Sequence, residues 1–239
     1  MGVLDHLLEH LVVLGHGWPG PSADGRLIGQ IVNPINGVGK RMSPRTYRSA
    51  RRQAAAEETR RRALAAAREL LAGDAFTKIT VDTVAKAADV SRQTIYNVFG
   101  AKSGLLEALF DALATQGGMD LTEAFTAPGE EAALAAFAET FCGFWASDRL
   151  VIRRLRGMAV LDPDLGRLLR ERDEMRRSGL KALFSRFEGT TPENIDVIWQ
   201  LTAFETYDAL AEGDRDTSCV AGLITAAALA ILHGSRPGA

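Results

Sequence analysis

The sequence predicts an all-α fold in which an N-terminal three-helix domain is followed by a larger helical domain. From about Ser49 onward, apolar residues recur at positions i, i+3, i+4 and i+7, which is the spacing of amphipathic helices. Thr191-Pro192 is a typical helix start, with a capping threonine and a proline in the first turn, and Asp162-Pro163 precedes another helical pattern. No segment carries a convincing strand pattern, so we expect the body to be entirely helical.

The first 41 residues differ in composition from the rest of the chain. They include a Gly- and Pro-rich stretch at 15–25, and Met42 opens a segment that resembles a natural protein start. We therefore expect translation to begin naturally at Met42, or residues 1–41 to be dispensable and poorly ordered. The predicted organisation is a disordered extension at 1–44, an N-terminal domain at 45–101, a C-terminal domain at 102–234 and a tail at 235–239.

Charge is distributed unevenly along the chain, whose net charge is −2. Residues 40–102 carry 14 Lys or Arg and 6 Asp or Glu, a net charge of +8, while the remaining residues carry a net charge of −10. A basic segment of this kind suits a polyanionic partner. An ordinary solvated surface gives the same imbalance, so charge alone decides little.

Several classes of protein are disfavoured by what the sequence lacks. The two cysteines, Cys142 and Cys219, are too few for a disulfide framework or a zinc site, and they suit a reducing cytoplasm. The central body holds no histidine, no Gly-rich phosphate loop and no metal-ligand spacing. We therefore predict a cytoplasmic protein that is not an enzyme and has no cofactor or metal. No apolar run reaches ~18 residues, so we predict no membrane span.

Residues 80–99 predict two short helices joined by a tight turn, the pattern of a helix-turn-helix. Thr80 and Ser91 are placed to cap the two helices. Asp89 lies where the chain must turn sharply, and aspartate tolerates left-handed backbone geometry better than most residues. Ile95 and Phe99 are expected to point inward. The side chains expected to remain largely outside are Arg92, Gln93, Thr94, Tyr96 and Asn97.

These outward side chains suit the major groove of double-stranded DNA. Arginine pairs bidentately with guanine, glutamine or asparagine pairs with adenine, and threonine contacts a thymine methyl group, while tyrosine suits a phosphate or sugar. A helical hairpin with a polar outer face is the alternative interpretation of the same spacing.

The segment from about Ala63 to Leu106 resembles the DNA-binding domain of the tetracycline-repressor (TetR) family of regulators. The matching residues are Ala67, Leu70, Leu71, Phe76, Thr80, Val81, Val84, Ala85, Ala87, Ala88, Val90, Ser91, Thr94, Ile95, Tyr96, Phe99, Lys102 and Leu105. The chain departs from the family at Ala75 and Asp89, where glycine is usual, and at Val98, which is often His or Tyr.

The resemblance implies an all-helical homodimer whose N-terminal domain binds DNA and whose C-terminal domain often holds a small-molecule effector. It implies a repressor that an effector releases from a palindromic operator. The alternative is a DNA-binding architectural or activator protein without an effector. Residues placed at the DNA by the resemblance are Thr80, Gln93, Thr94, Tyr96, Asn97 and Lys102, to which the motif adds Arg92.

The basic stretch at 45–62 precedes this motif. Arg48, Arg51 and Arg52 are suited to reach the adjacent DNA backbone or minor groove. For the part before Ser49, a disordered basic tail is an equally good interpretation.

Two patterns near the C-terminus predict dimerisation. A helix at about 193–212 is apolar on two sides, and another at about 220–232 is apolar nearly all round. A helix of this kind needs two partners, of which one is its own domain and the other the same helix pair of a second subunit. The second helix, at thirteen residues, is too short to span a bilayer.

Aromatic and methionine side chains are concentrated in the C-terminal domain, where we predict an apolar effector pocket. The candidate pocket residues are Phe137, Phe141, Trp145, Met158, Met175, Trp199 and Phe204. Ordinary core packing is the alternative for each of them. Arg149, Arg153 and Arg156 share one helical face, which could receive an acidic ligand or lie in solvent.

Overall fold

The computed structural model describes residues 44–74, 76–213 and 215–234. These residues form eleven α-helices and one 3-10 turn at Phe76–Lys78, and no strand occurs among them. The helices are α1 Pro44–Ala72, α2 Val81–Ala87, α3 Arg92–Phe99, α4 Lys102–Gln116, α5 Thr122–Thr126, α6 Glu130–Ser147, α7 Arg149–Ala159, α8 Pro163–Phe184, α9 Pro192–Leu201, α10 Phe204–Leu210 and α11 Thr217–Gly234. The all-α prediction is confirmed, while the predicted extension up to residue 43 and the predicted tail lie outside the described residues.

Helices α1, α2 and α3 form the N-terminal three-helix unit. The C-terminal half of α1 is rich in alanine, and Ala63 and Ala67 are fully buried beneath the crossing helices. Small side chains let helix backbones approach closely, so α2 and α3 can both pack against α1. Val84 of α2 and Ile95 of α3 complete this core, each with no exposed surface.

The turn between α2 and α3 follows the predicted chemistry. The Thr80 hydroxyl accepts a hydrogen bond from the backbone N–H of Thr83, and the Ser91 hydroxyl accepts one from Thr94. Asp89 adopts a φ of 50°, which is the left-handed geometry that the sharp turn requires. The two predicted caps and the predicted turn residue are therefore confirmed.

An arginine of α1 fixes this turn from outside. The Arg62 guanidinium donates hydrogen bonds to the backbone carbonyls of Ala88 and Asp89 and lies 3.2 Å from the Asp89 carboxylate. Both carbonyls lie just beyond the end of α2, where backbone acceptors lack helical partners. Arg62 therefore holds the angle between α2 and α3.

Helix α6 is the centre of the C-terminal body. It packs against α4, α5, α7, α10 and α11. Three of its four aromatic side chains, Phe137, Phe144 and Trp145, are at most 2% exposed. The ring of Phe144 packs edge-on against Phe110 of α4 at 5.2 Å, which joins α6 to the helix that follows the N-terminal unit.

Helix α7 connects the two parts of the molecule. Arg154 of α7 donates hydrogen bonds of 2.6 Å to the carbonyls of Leu71 and Gly73, at the C-terminal end of α1. A guanidinium is favourable there because the helix dipole leaves partial negative charge at that end. Arg68 of α1 returns a 2.5 Å ion pair to Asp148, which also caps α7. The N-terminal unit is thus bonded to the body and is not simply tethered to it.

The prediction of one helix at 193–212 is wrong, because the structure contains α9 and α10 with a break at Thr202 and Ala203. The Trp145 indole donates a hydrogen bond of 3.1 Å to the Thr202 carbonyl, and Arg176 donates to the Trp199 carbonyl. Ala203 is extended, with a ψ of 157°. Side chains distant in sequence therefore bind the carbonyls at the end of α9 and turn the chain there.

Helix α11 extends beyond the apolar stretch at 220–232 at both ends. It spans eighteen residues, and by length and composition it is the one described helix that could cross a membrane. The thirteen-residue argument against a membrane span is therefore wrong. One side of α11 packs against α6 and α9, so we assign the helix to the protein body.

The arginine face of α7 is paired with carboxylates of the protein itself, although the Arg153 side chain also remains 49% exposed to solvent. Arg149 and Arg153 both bind the Asp208 carboxylate of α10, at 2.5 and 2.6 Å, and Arg156 binds Glu205 at 2.6 Å. Burial disfavours the charged form of Asp208, but the hydrogen bonds from Arg153 and Arg149 outweigh it and lower the pKa of this carboxyl. The face is therefore an ion-paired seam between α7 and α10.

Two glycines of α8 should respond oppositely to substitution by alanine. A Cβ at Gly179 would lie 3.9 Å from the Phe137 ring, an ordinary contact, whereas a Cβ at Gly166 would lie 2.7 Å from the Ala159 carbonyl. Gly179→Ala should raise the free energy of unfolding by about 0.5–1 kcal/mol, because alanine loses less backbone entropy in a helix. Gly166→Ala should lower it by about 1–3 kcal/mol through overpacking. Urea unfolding monitored by circular dichroism measures both, and changes of the same sign would contradict the packing described between α7 and α8.

Removing the arginine that holds the turn should destabilise the N-terminal unit. Arg62→Ala leaves the carbonyls of Ala88 and Asp89 without their charged donor and should cost on the order of 1 kcal/mol. Arg61→Ala is the matched control, since Arg61 pairs only with exposed Glu58 on the same helix and should be nearly neutral. Thermal unfolding of both variants makes the comparison, and equal stability of the two would show that Arg62 does not hold the turn.

Candidate functional site

Helix α3 presents a polar face outside the N-terminal unit. Arg92, Gln93 and Asn97 are exposed, while Thr94 and Tyr96 are half-buried. The five predicted α3 residues therefore lie on the outer side of one eight-residue helix. A helix of this width fits the major groove of B-DNA, which is about 12 Å across.

Gln93 and Asn97 are organised by a hydrogen bond to each other. The Gln93 amide nitrogen donates to the Asn97 amide oxygen at 2.9 Å, one helical turn away. This bond does not use the Gln93 amide oxygen, which is an acceptor, or the Asn97 amide nitrogen, which is a donor. An adjacent acceptor and donor is what the major-groove edge of an adenine requires.

Arg92 connects the two helices of the motif. Its guanidinium donates a hydrogen bond of 3.3 Å to the Tyr96 hydroxyl and forms an ion pair of 3.3 Å with Asp82 of α2. The bond to Tyr96 and then the charge of Asp82 raise the pKa of Arg92 above its ordinary value. Arg92 is therefore a fixed positive charge at the N-terminal end of α3.

The two remaining predicted DNA contacts, Thr80 and Lys102, are occupied within the protein. The Thr80 hydroxyl is used in capping α2. The ammonium of Lys102, at the first residue of α4, lies 3.6 Å from the carboxylate of Asp162, which caps α8. Sequence reasoning placed Lys102 at the DNA and missed this carboxylate, which lies sixty positions further along the chain.

The basic stretch that precedes the motif is helical in the structure. Helix α1 begins at Pro44, so Arg45 and Arg48 belong to the same helix as Arg62. Arg51 and Arg52 are exposed. Ala63, the first buried residue from position 51 onward, lies nineteen positions after Pro44, or roughly 28 Å of helix at 1.5 Å per residue.

A narrow cavity of about 50 Å³ lies inside the C-terminal body between α4, α6 and α8. Four of the seven predicted pocket residues line it, namely Phe137, Phe141, Trp145 and Met175. Three others lie outside its lining, namely Met158, Trp199 and Phe204. Phe204 packs edge-on against Trp145 at 5.6 Å, and the Trp199 indole donates to the Asp173 carbonyl at 2.9 Å, so both support the wall from behind.

Charged side chains that sequence reasoning missed also line the cavity. Arg172 and Arg176 of α8 lie there together with Asp111 and Asp173. Arg172 forms an ion pair of 2.8 Å with Asp111, whose pKa is raised by burial against the opposing charge of Arg172. The i, i+4 spacing of Arg172 and Arg176, continued by Gly179, was the available signal, since it places two arginines and a small residue on one face of α8.

Metal chemistry has no evident centre in the part of the chain that the structure describes. No group of three His, Cys, Asp or Glu side chains there could hold a metal ion. Burial raises the pKa of the Cys142 thiol to about 12, so this cysteine stays protonated at neutral pH and is unsuited to bind a metal or act as a nucleophile.

Comparison with known sequences identifies the N-terminal unit. Residues 63–109 match the family model described as "Bacterial regulatory proteins, tetR family". The HTH-type transcriptional regulator AlkX of Mycobacterium tuberculosis (strain ATCC 25618 / H37Rv) is 38% identical over 109 residues. This alignment covers 44% of the chain and 50% of AlkX, so the similarity spans about half the length of the curated relative.

Solved structures share the fold over a larger part of the chain. A protein of Syntrophomonas wolfei str. Goettingen described as a TetR-family transcriptional regulator has a TM-score of 0.61 at 13% identity, covering 77% of this chain and 99% of that one. A TetR-like transcriptional regulator from Rhodococcus sp. RHA1 has a TM-score of 0.53 at 22% identity, covering 74% and 96%. With the helix-turn-helix in place and its sequence matched, residues 63–109 are identified as the N-terminal domain of the TetR family of bacterial regulatory proteins, and the chain shares its helical fold with the two solved structures.

Proposed function

We propose that this protein is a dimeric, DNA-binding transcriptional regulator, a repressor that a small molecule releases from its operator. The observation that carries the proposal is the exposed polar face of α3, where Arg92 and the Gln93–Asn97 pair lie on a helix fixed by the Ser91 cap. These side chains offer hydrogen-bonding groups without an apolar surface. In a dimer with two-fold symmetry, two such helices enter successive major grooves roughly 34–36 Å apart on a near-palindromic site.

Dimerisation is supported by the uncovered face of α11. Only 28% of this helix is buried, although it is strongly apolar. Leu223 of α11 is 45% exposed, and Val197 of the adjacent α9 is 44% exposed. The other exposed residues on the same side of α11 are small, namely Cys219, Gly222, Ala226, Ala227 and Ala230, with His233 near the end of the helix as the exception. A self-complementary stripe of this kind suits a second copy of the same helix related by a two-fold axis.

Release by an effector is supported by where the cavity lies. Helix α4 forms part of its wall and begins at Lys102, at the edge of the helix-turn-helix, while α8 forms another part and begins beside Asp162. A ligand between these helices would therefore act on elements that contact the N-terminal unit. The small volume of the cavity favours the alternative of a DNA-binding architectural or activator protein without an effector, which the ligand experiments below distinguish.

Base contacts and phosphate contacts should separate by mutation. Asn97→Ala should cost about 1–3 kcal/mol on the preferred site and relax preference at one base position. Lys102→Ala should weaken binding to all sequences and reduce the slope of log K against log salt by about one. Fluorescence anisotropy with a duplex selected from random DNA, and with a scrambled duplex, measures both at several salt concentrations. Uniform losses from Asn97→Ala, or selection that yields no symmetric motif, would contradict the assignment of α3.

The pairing of Lys102 with Asp162 provides a gain-of-affinity control for the same measurement. Asp162→Asn retains a residue that caps helices well but removes the charge that competes for Lys102, so binding to both duplexes should strengthen. Asp164→Asn makes the same change of net charge two residues away, where the carboxylate pairs with exposed Arg167, and it should have a smaller effect. Equal effects of the two variants would show that only net charge matters.

A charge on the uncovered face of α11 should separate the subunits. Leu223→Arg would place a guanidinium in the proposed interface and should give monomers, because an unpaired buried charge is strongly unfavourable. Leu150→Arg is the control, since Leu150 is 41% exposed on α7, away from α9 and α11. Analytical ultracentrifugation at micromolar concentration measures the masses. A monomeric wild-type protein, or a dimeric Leu223→Arg variant, would place the interface elsewhere.

A further inference from the structure

The most unusual group in the body is the guanidinium of Arg176. Its residue is only 4% exposed, at the middle of α8. One terminal nitrogen, Nη1, donates to the Trp199 carbonyl and to the Thr202 hydroxyl, the latter at 2.8 Å. The other, Nη2, lies 3.4 Å from Asp173. The third nitrogen, Nε, is buried and has no hydrogen-bond partner. A buried donor without an acceptor is costly, so this N–H calls for an acceptor that the chain does not provide.

Arg176 lines the cavity described above, and the rest of that lining is mainly aromatic. Phe137, Phe141, Phe144 and Trp145 form one wall along α6. The Phe141 ring lies beneath the Arg176 guanidinium, with its centroid 5.8 Å from the central carbon. The cavity therefore combines an apolar wall with one unsatisfied cationic donor, and such a combination is typical of sites that orient a small molecule by a single polar group.

The unsatisfied donor itself favours an anion, because a guanidinium forms its stronger hydrogen bonds with charged acceptors. Three arginine side chains, those of Arg156, Arg172 and Arg176, are 15%, 12% and 3% exposed, whereas the two most enclosed carboxylates, Asp111 and Asp173, are 24% and 20% exposed. The other carboxylates that pair with these arginines are far more exposed, with Glu107 at 47% and Glu205 at 63%. Within the lining itself two arginines face two carboxylates, and the additional positive charge is that of Arg156, which lies outside the lining and pairs with Asp173 and Glu205. Burial lowers the pKa of Arg176 to about 10, which agrees with a guanidinium that has too little compensating charge.

We propose that the cavity binds a small monocarboxylate with a slender, unbranched apolar body, whose carboxylate accepts a hydrogen bond from Nε of Arg176 while its chain lies along the aromatic wall. This inference rests on the proposed function, in which the cavity is the effector site. At about 50 Å³ the cavity is smaller than a 150 Å³ cavity that binds benzene, so a ligand must widen it, and a slender chain requires less widening across its width than a ring. Met119 and Met175 also line the cavity, and methionine side chains adapt readily to make room for a chain.

A ligand in the cavity would contact arginines that also bind two neighbouring helices, α4 and α9. Arg176 binds the end of α9 through the Trp199 carbonyl and Thr202, and its neighbour Arg172 pairs with Glu107 and Asp111 of α4. A carboxylate at Nε therefore meets a guanidinium that already contacts α9, and it lies one helical turn from an arginine that contacts α4. A bound carboxylate is thus placed where it can influence both α9, which lies beside the proposed dimer interface, and α4, which begins at Lys102.

The experiment compares three probes that differ only at the head group, hexanoate, hexanamide and hexylamine, by isothermal titration calorimetry with the full chain at pH 7. Butanoate and octanoate test the length of the apolar body. Hexanoate should bind more tightly than hexanamide by on the order of ten-fold, because charge-assisted hydrogen bonds are about twice as strong as neutral ones, and hexylamine should not bind. In Arg176→Met the preference for the acid should disappear. Arg167→Met, which removes an exposed arginine from the same helix, should retain it.

A second variant keeps the test independent of the folding of Arg176→Met. Gly179→Ala retains Arg176 and adds a methyl group at the cavity wall, so it should weaken hexanoate binding several-fold while the protein stays folded. Equal affinity for hexanoate and hexanamide, retention of the acid preference in a folded Arg176→Met, or no binding of any of the three acids would overturn the proposal.

DNA binding of the ligand-free protein, measured on the selected duplex, distinguishes a failure of the proposed ligand class from a failure of the proposed regulatory function. If DNA is bound and the acid preference is absent, the ligand class is wrong and the regulatory function stands. If the acid is bound with the expected preference and no DNA is bound, the regulatory function is wrong and the site at Arg176 stands.

Discussion

Arginines on α7 and α8 place positive charge inside the helical body. The positions of the surrounding helices depend on which carboxylates and carbonyl groups pair with these arginines. Arg154 binds the end of α1, Arg149 and Arg153 share Asp208 of α10, and Arg172 pairs with two carboxylates of α4. Arg176 binds carbonyl and hydroxyl groups at the end of α9. Ion pairs of this kind add little net stability when desolvation is counted, but each is costly to leave unmatched. Their main effect is therefore to disfavour other arrangements of the helices, and they add little to the stability of the observed arrangement.

The same constraint explains why the cavity has a polar end. An aromatic wall along α6 could have been closed by apolar side chains from α8, as in most helical cores. Instead α8 places Arg172 and Arg176 there, and the carboxylates within reach satisfy the first arginine more fully than the second. One donor of Arg176 is left over as a result. Natural structures satisfy nearly all buried polar groups, so an exception inside a cavity points to a ligand more than to packing.

Features that depend on neighbouring residues could be predicted from the sequence, and features that depend on distant ones could not. The caps at Thr80 and Ser91 and the left-handed Asp89 follow from side chains within three residues of the backbone they bind. The polar face of α3 follows from helical spacing alone. In contrast, the break between α9 and α10 requires Trp145, which is 57 positions away, and nothing in the local pattern of residues 193–212 predicts it. The charged end of the cavity was missed for the same reason, since an arginine in a helix is normally assigned to solvent.

Lys102 shows how a weak contact can connect the two halves of the molecule. Its ion pair with Asp162 is about one third exposed on each side, and such pairs contribute only about 0–1 kcal/mol, so in the proposed function a DNA phosphate would displace the carboxylate at little cost. Asp162 cannot move freely, however, because it caps α8, the helix that bears Arg172 and Arg176. Any shift of α8 along its axis therefore changes the distance between Asp162 and Lys102. A strong pair would keep Lys102 from binding the proposed DNA phosphate. Without any pair, the position of Lys102 would not depend on the position of α8. In the proposed function, a weak pair anchored to the capped end of α8 would let the position of α8 bias how readily Lys102 reaches a phosphate.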